Sequence, residues 1–305
     1  MDDGHDTLFE KLLSHRLRGF GEYENSPTAL AAACRSATPY LEIDTRVTRD
    51  GAIFVCHDPV TGHDTTGRVR IGTASRAEAA KVRFRNGEPL LSLQDALDVF
   101  RGRRRDSQRL CIDIKDFGFE AAHLDLVRSR GLEAHVVFVS WIPWTIVRLK
   151  QLGTTAPLVL SHVNLLDRPL AGWIATRFTR WRLRMGHHLV YGSGCAVRPR
   201  TDLGHGYQHV LVCARLPDDL LSALRSGNGA LCVHRSLAGP RLRAYCRDAG
   251  IGLWVFSVGD ALRYARWAAA DGIDVVFCDD APAAIRARER DAMPVTHVGG
   301  VASGG

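Results

Sequence analysis

The chain has 305 residues, 46% hydrophobic and 24% charged, which is enough apolar content to fill a large core and rules out a mainly disordered or collagen-like polymer. Forty Lys and Arg against 33 Asp and Glu leave a formal charge of +7, so anionic partners such as phosphate groups or acidic membranes are favoured over cationic ones. The opening MDDGHDTLFEKLL lacks the basic-then-apolar order of a secretory signal, and no run of about 18 apolar residues offers a bilayer span; a cytoplasmic location is expected.

Short apolar runs alternate with amphipathic stretches, the pattern of βαβ units and a parallel sheet. The first strand is predicted over 11–15, a helix over 27–36 and a second strand over 40–47. The turn signal Arg49-Asp50-Gly51 precedes a short run at 52–56, read as a hairpin extending the second strand. A helix over 92–100 leads to a strand at 110–115, a helix over 120–130 to a strand at 135–140, and a helix over 144–152 to a strand at 157–162. After an irregular Gly-rich stretch come an apolar run at 209–213 and a helix over 217–225. Strands at 230–234, 251–258 and 274–278 follow, separated by helices over 239–249 and 261–271.

Nine runs thus compete for eight barrel places. The run 209–213 is set aside because it follows the irregular stretch and is linked closely to the next helix. The expected architecture is a single α/β domain over 1–290, a (β/α)8 TIM barrel with a hairpin extension after strand two and a basic insertion around 169–201. The Gly-rich residues 291–305 are expected to form a disordered tail.

The eight cysteines lie far apart, mostly inside apolar runs and without C-x-x-C spacing, which reads as reduced core thiols. The insertion carries Arg177, Arg180, Arg182, Arg184, Arg198 and Arg200 with no acid. It is read either as a peripheral contact with an anionic membrane or as solvated arginines around a loop. Nucleic acid is not an expected partner, because no recognised binding motif accompanies the excess charge.

In Leu41-Glu42-Ile43-Asp44 the period-two geometry of a strand puts both carboxylates on one side. Two unpaired carboxylates in so apolar a run are costly, and a hard divalent cation, Mg²⁺ or Ca²⁺, resolves that cost with oxygen ligands. The same spacing places Asp113 and Lys115 together on the third strand. His15-Arg16 ends the first strand and His57 ends the hairpin. In a parallel barrel the strand C-termini form the active face, so these residues are expected to converge. A cation with Arg16 or Lys115 suits the oxygens of a phosphodiester, and two imidazoles suit proton exchange with nucleophile and leaving oxygen. No G-x-S-x-G elbow, Walker loop or G-x-G-x-x-G signature competes with that reading.

Taken in order, His15-Arg16, Glu24-Asn25-Ser26, Glu42-Ile43-Asp44, Arg49-Asp50-Gly51, His57-Asp58, the segment 89–97, Ser140-Trp141, the run 252–258 and the closing 272–282 resemble the glycerophosphodiester phosphodiesterase family. The resemblance implies a TIM barrel that hydrolyses glycerophosphodiesters to an alcohol and glycerol 3-phosphate with a divalent cation. It implies Glu42, Asp44 and Asp113 as metal ligands and His15 and His57 as the proton-transfer pair. Arg16, Lys115, Glu24 and Trp254 become contacts for phosphate or substrate. The chain departs from the family in its first loop, where Leu17 and Arg18 stand before Gly19, in Tyr23, in Asp113 in place of glutamate, and in Val258-Gly259. Asp-x-Lys at 113–115 resembles the related sphingomyelinase D and phospholipase D toxins. That keeps two alternatives open: a lyase that forms a cyclic phosphate from lysophospholipids, and a barrel that binds phosphate or membrane with little turnover.

Overall fold

The computed structural model describes residues 7–165, 196–200, 208–213, 215–259 and 261–291. Eight parallel strands close into a ring: β1 (Leu12–Ser14), β2 (Tyr40–Val47), β3 (Arg109–Ile114), β4 (Val136–Ser140), β5 (Leu158–Ser161), β6 (Ala230–His234), β7 (Gly252–Phe256) and β8 (Val275–Cys278). Each pairs in parallel with its successor, and β1 closes the ring by pairing with β8, Leu13 opposite Phe277. The ring leaves no unpaired edge for another chain to extend.

Alternation along the strands sorts the residues into two apolar clusters. Leu41 and Ile43 of β2 and Leu110, Ile112 and Ile114 of β3 face outward and join the surrounding helices in one core. Inside, Leu13, Val137, Val159, Cys232, Trp254 and Phe277 belong to a second cluster. Full burial of each such side chain stabilises by about 1.5–3 kcal/mol. The helix Pro27–Arg35 shows how the outer layer starts: Ser26 Oγ accepts from Ala29 N at 3.2 Å and proline fills the first turn. Its Leu30, Ala33 and Cys34 are buried.

The expected barrel and hairpin are present, with adjusted ends. Strand β1 stops at Ser14 and His15 opens a 3₁₀ turn, because Arg16 and Leu17 adopt φ of 55° and 60° and leave the extended region. The hairpin strand Ile53–Val55 runs antiparallel to β2 with Phe54 opposite Arg46. The run set aside from the barrel is a strand, Gln208–Cys213, but it pairs with Val163–Leu165 and Ala196–Arg200 in a separate three-stranded sheet. A small layer of Thr65–Thr66, Arg76–Ala79 and Arg83–Phe84 packs Ile71, Val82 and Phe84 onto Phe54. The helix Ala281–Asp291 follows β8; neither it nor that layer was anticipated.

Apart from the backbone of Ala196–Arg200, the basic segment 169–201 lies outside the described residues, as does the expected tail beyond Asp291. Seven described cysteines are free thiols, six of them buried. Among the described residues no helix is long and apolar enough to cross a membrane.

Candidate active site

The site forms where β1, β2 and β3 end. Tyr40, Glu42, Asp44 and Arg46 share one side of β2, and the β2–β3 register sets Asp44 opposite Asp113. Glu42, Asp44 and Asp113 are all buried, and one carboxylate oxygen from each lies within 4.8 Å of the others. Lys115 Nζ stands 2.9 Å from Asp44 Oδ1 and 2.5 Å from Asp113 Oδ2. Asn25 donates from Nδ2 to Asp44 Oδ2 at 2.9 Å, from a left-handed backbone (φ 56°) that bonds to the Arg16 carbonyl. Left-handed non-glycine residues are uncommon and strained; here they bring Arg16 and Asn25 onto the carboxylates.

Arg16 donates its backbone N–H to Glu42 Oε2 at 2.7 Å and its Nη1 to Glu24 Oε1 at 3.2 Å, with Nε 3.5 Å from Asp44 Oδ2. Burial and the neighbouring Asp44 and Asp113 push the Glu42 carboxyl well above the usual range. Burial acts the same way on Asp44, but Lys115, His57 and Arg16 overcome it and hold that carboxylate ionised. Burial also works against the charges of Arg16 and Lys115, and the surrounding carboxylates keep both protonated.

Each histidine is oriented by an acid. His15 Nδ1 lies 2.6 Å from Asp279 Oδ1, and its ring meets Phe277 edge-on with centroids 5.6 Å apart. His57 Nδ1 lies 2.7 Å from Asp58 Oδ1. Arg46 fixes the end of the hairpin by donating to the His57 carbonyl at 3.0 Å and to Asp116 at 2.9 Å. A carboxylate only accepts, so both imidazoles carry Nδ1–H and leave Nε2 as the accepting nitrogen. Burial lowers both histidines from their ordinary value and their neighbouring acids partly restore it. Asp279 is held down at about 2: burial opposes its charge, and the bond to His15 and the Arg18 cation outweigh burial.

Of the nine residues singled out from sequence, His15, Arg16, Glu24, Glu42, Asp44, Asp113 and Lys115 lie in one continuous network of hydrogen bonds and ion pairs, and His57 lines the adjoining cleft with Glu24 and Asn25. Trp254 stands in the apolar half of the interior, its ring edge-on to Tyr40 at 5.7 Å and 6.3 Å from Phe277. Phe277 in turn meets the ring of His15, so among the described residues Trp254 is joined to His15 by way of that ring. Asp279, Asp58, Asn25 and Arg18 were not anticipated as site residues. For Asp58, beside a motif histidine, and Asp279, just after a strand end, that position is a signal that could have marked them as candidates. A cleft of about 70 Å³ opens beside His57, walled by Glu24, Asn25, Asp58, Thr61, Phe84 and Leu90.

The donor set fits a hard cation. It consists of carboxylate oxygens only, Asp113 Oδ1 is buried without a hydrogen-bond partner, and Asp44 Oδ1 has Lys115 nearby without hydrogen-bond alignment.

The sequence profile of the glycerophosphoryl diester phosphodiesterase family matches residues 13–176. Among solved structures, the fold is similar to that of an Oleispira antarctica phosphodiesterase determined with the product sn-glycerol-3-phosphate, at a TM-score of 0.63, 17% identity and coverage of 92% of this chain and 96% of that one. A candidate glycerophosphoryl diester phosphodiesterase from Agrobacterium tumefaciens gives 0.64, 17%, 93% and 99% for the same quantities. A glycerophosphodiester phosphodiesterase from Parabacteroides distasonis gives 0.61, 15%, 93% and 98%. No curated protein matches the chain.

Proposed function

The chain belongs to the glycerophosphoryl diester phosphodiesterase family, whose members hydrolyse glycerophosphodiesters, and on that premise we propose that it releases an alcohol and glycerol 3-phosphate with His15 and His57 as its proton-transfer pair. The observation that carries this reading is the meeting of three buried carboxylates with two acid-oriented imidazoles at one end of the barrel.

Glu42, Asp44 and Asp113 would hold Mg²⁺ or Ca²⁺, which when bound supplies positive charge against the phosphoryl oxygens. Arg16 and Lys115 would add fixed cations beside the same oxygens, in a wall dry enough for their charge to act strongly. One imidazole Nε2 takes the proton of the nucleophile while the other, protonated, donates to the leaving alcohol oxygen. The cleft beside His57 provides room for one ester substituent. Glu24 acts on the site through Arg16, and Trp254 serves as interior wall for the ring of Phe277.

Turnover of a panel of glycerophosphodiesters and lysophospholipids, with several divalent ions and with EDTA, tests the proposal. Hydrolysis of glycerophosphocholine that EDTA abolishes and Mg²⁺ or Ca²⁺ restores is expected, and cation-independent turnover would refute the metal assignment. The Asp-x-Lys pattern at 113–115, which resembles that of the sphingomyelinase D and phospholipase D toxins, gives a second reading in which a substrate hydroxyl is the nucleophile. A persistent cyclic phosphate in the phosphorus NMR spectrum of the product would establish that reading instead.

A further inference from the structure

We infer that Arg18, which the first loop supplies, is a positioning residue for proton transfer at His15. This rests on the assignment of His15 to proton transfer. Leu17 is fully buried and anchors the loop, while the left-handed backbone at Arg16 and Leu17 turns the chain back so that Arg18 lies across the rim of the site. Gly19 (φ 82°) then packs against the turn after β8, where an added Cβ would sit 2.9 Å from Asp280 Oδ1 and 3.1 Å from Pro282 Cδ. The first loop is thus docked on the closing turn.

From that position Arg18 spans two carboxylates. Its Nη1 donates to Asp279 Oδ1 at 2.9 Å, the same oxygen that lies 2.6 Å from His15 Nδ1, and its Nε donates to Glu24 Oε2 at 2.6 Å. The other Glu24 oxygen takes Arg16 Nη1 at 3.2 Å. The result is a continuous chain, His15 to Asp279 to Arg18 to Glu24 to Arg16, that joins one imidazole to a cation beside the carboxylates.

Two effects follow. A carboxylate held by a single donor rotates more freely than one also fixed by a planar guanidinium, so Arg18 sets the plane in which His15 Nδ1 is held and with it the direction of Nε2. Arg18 also draws on the charge of Asp279 that would otherwise stabilise an imidazolium. The charged groups facing His15 are Asp279 after β8 and Arg16 and Arg18 of the first loop, and both arginines favour the neutral, proton-accepting ring.

The test compares Arg18→Ala and Arg18→Lys with His15→Ala on glycerophosphocholine with Mg²⁺ or Ca²⁺, and follows the tautomer and titration of His15 by ¹⁵N NMR in the substrate-free protein. Arg18→Ala is expected to lower kcat by about 10- to 100-fold, the usual effect of removing a group that orients a site residue, with KM nearly unchanged. It should also move the limb of the kcat/KM profile that His15 sets, and the His15 titration, to higher pH, and added guanidinium ion should restore part of the turnover. Arg18→Lys keeps the charge without the fork and should recover only part of kcat. Wild-type kcat in Arg18→Ala beside an inactive His15→Ala overturns the proposal. So do an unchanged His15 tautomer and titration in folded Arg18→Ala. Full turnover in His15→Ala overturns the assignment of His15 itself.

Discussion

Replacing Lys115 by Met removes the cation that lies 2.9 Å from Asp44 and 2.5 Å from Asp113 in a wall where all three side chains are buried. Methionine retains most of the apolar stem, so the loss is mainly electrostatic. Removing one partner of a buried ion pair destabilises by about 3–5 kcal/mol, because the remaining charge is left desolvated and unmatched. For a chain of this size about 2 °C of melting temperature corresponds to each kcal/mol, which gives a drop of roughly 6–10 °C in EDTA. A divalent cation held by the same carboxylates should reverse much of it, since a ligand at a hundred times its Kd contributes about 2.7 kcal/mol. Calorimetric melting of wild type and Lys115→Met, with EDTA and with excess Mg²⁺ or Ca²⁺, measures both quantities. The variant should gain more from the cation than the wild type, whose ammonium already neutralises the site. A variant within about 1 kcal/mol of wild type in EDTA, or one that gains no more from the cation, would refute the view that Lys115 and the cation share the carboxylates.

His15→Ala and His57→Ala should each lower kcat by about 10² to 10⁴ in steady-state assays while melting near the wild type, and unchanged turnover in both would remove the proton-transfer assignment. His123 is fully buried between Thr45 Oγ1 at 3.0 Å and the Phe119 carbonyl at 2.9 Å, and burial lowers its pKa. Below about pH 6.5 the unfolded chain therefore binds a proton at this residue that the native state refuses. Stability should be complete above that pH and fall as the pH drops towards the native pKa. Urea midpoints from about pH 7.5 to about pH 5.5 should fall less steeply in His123→Gln, and equal slopes would exclude this source. Gly19→Ala forces φ 82° on a residue with a Cβ and drives that atom onto Asp280, so a loss of about 1–3 kcal/mol in denaturant titration is expected; an unperturbed variant would show that the first loop can move off the closing turn.

The barrel was legible because each strand is a short apolar run bounded by turn residues. Tyr40–Val47 and Ala230–His234 fall where the pattern places them, and the period of two alone puts Glu42 and Asp44 on one side. The small layer over the hairpin escaped because strands of two residues, Thr65–Thr66 and Arg83–Phe84, carry no periodicity. The partners of His15 and Asp44 escaped for another reason. Asp279 is readable as a strand-end residue, but its pairing with His15 exists only when the ring closes, and Asn25 reaches Asp44 only through a left-handed residue, so no local pattern encodes either contact. Trp254 was readable as a strand residue, but whether a strand side chain lines the rim or the floor depends on its register with Val275 and Cys232.

His15 and the acid that orients it are 264 positions apart in the chain, one before the first helix of the barrel and the other after its last strand. During synthesis, then, the imidazole emerges just after the first strand of the barrel and stays without its orienting carboxylate until the last strand has been made. A ribosome-bound or proteolytically shortened product that ends before Asp279 has the carboxylate triad in its sequence and one imidazole without its guide. The pairing of β1 with β8 and the contact between His15 and Asp279 thus form together, as a single late event in the closure of the ring.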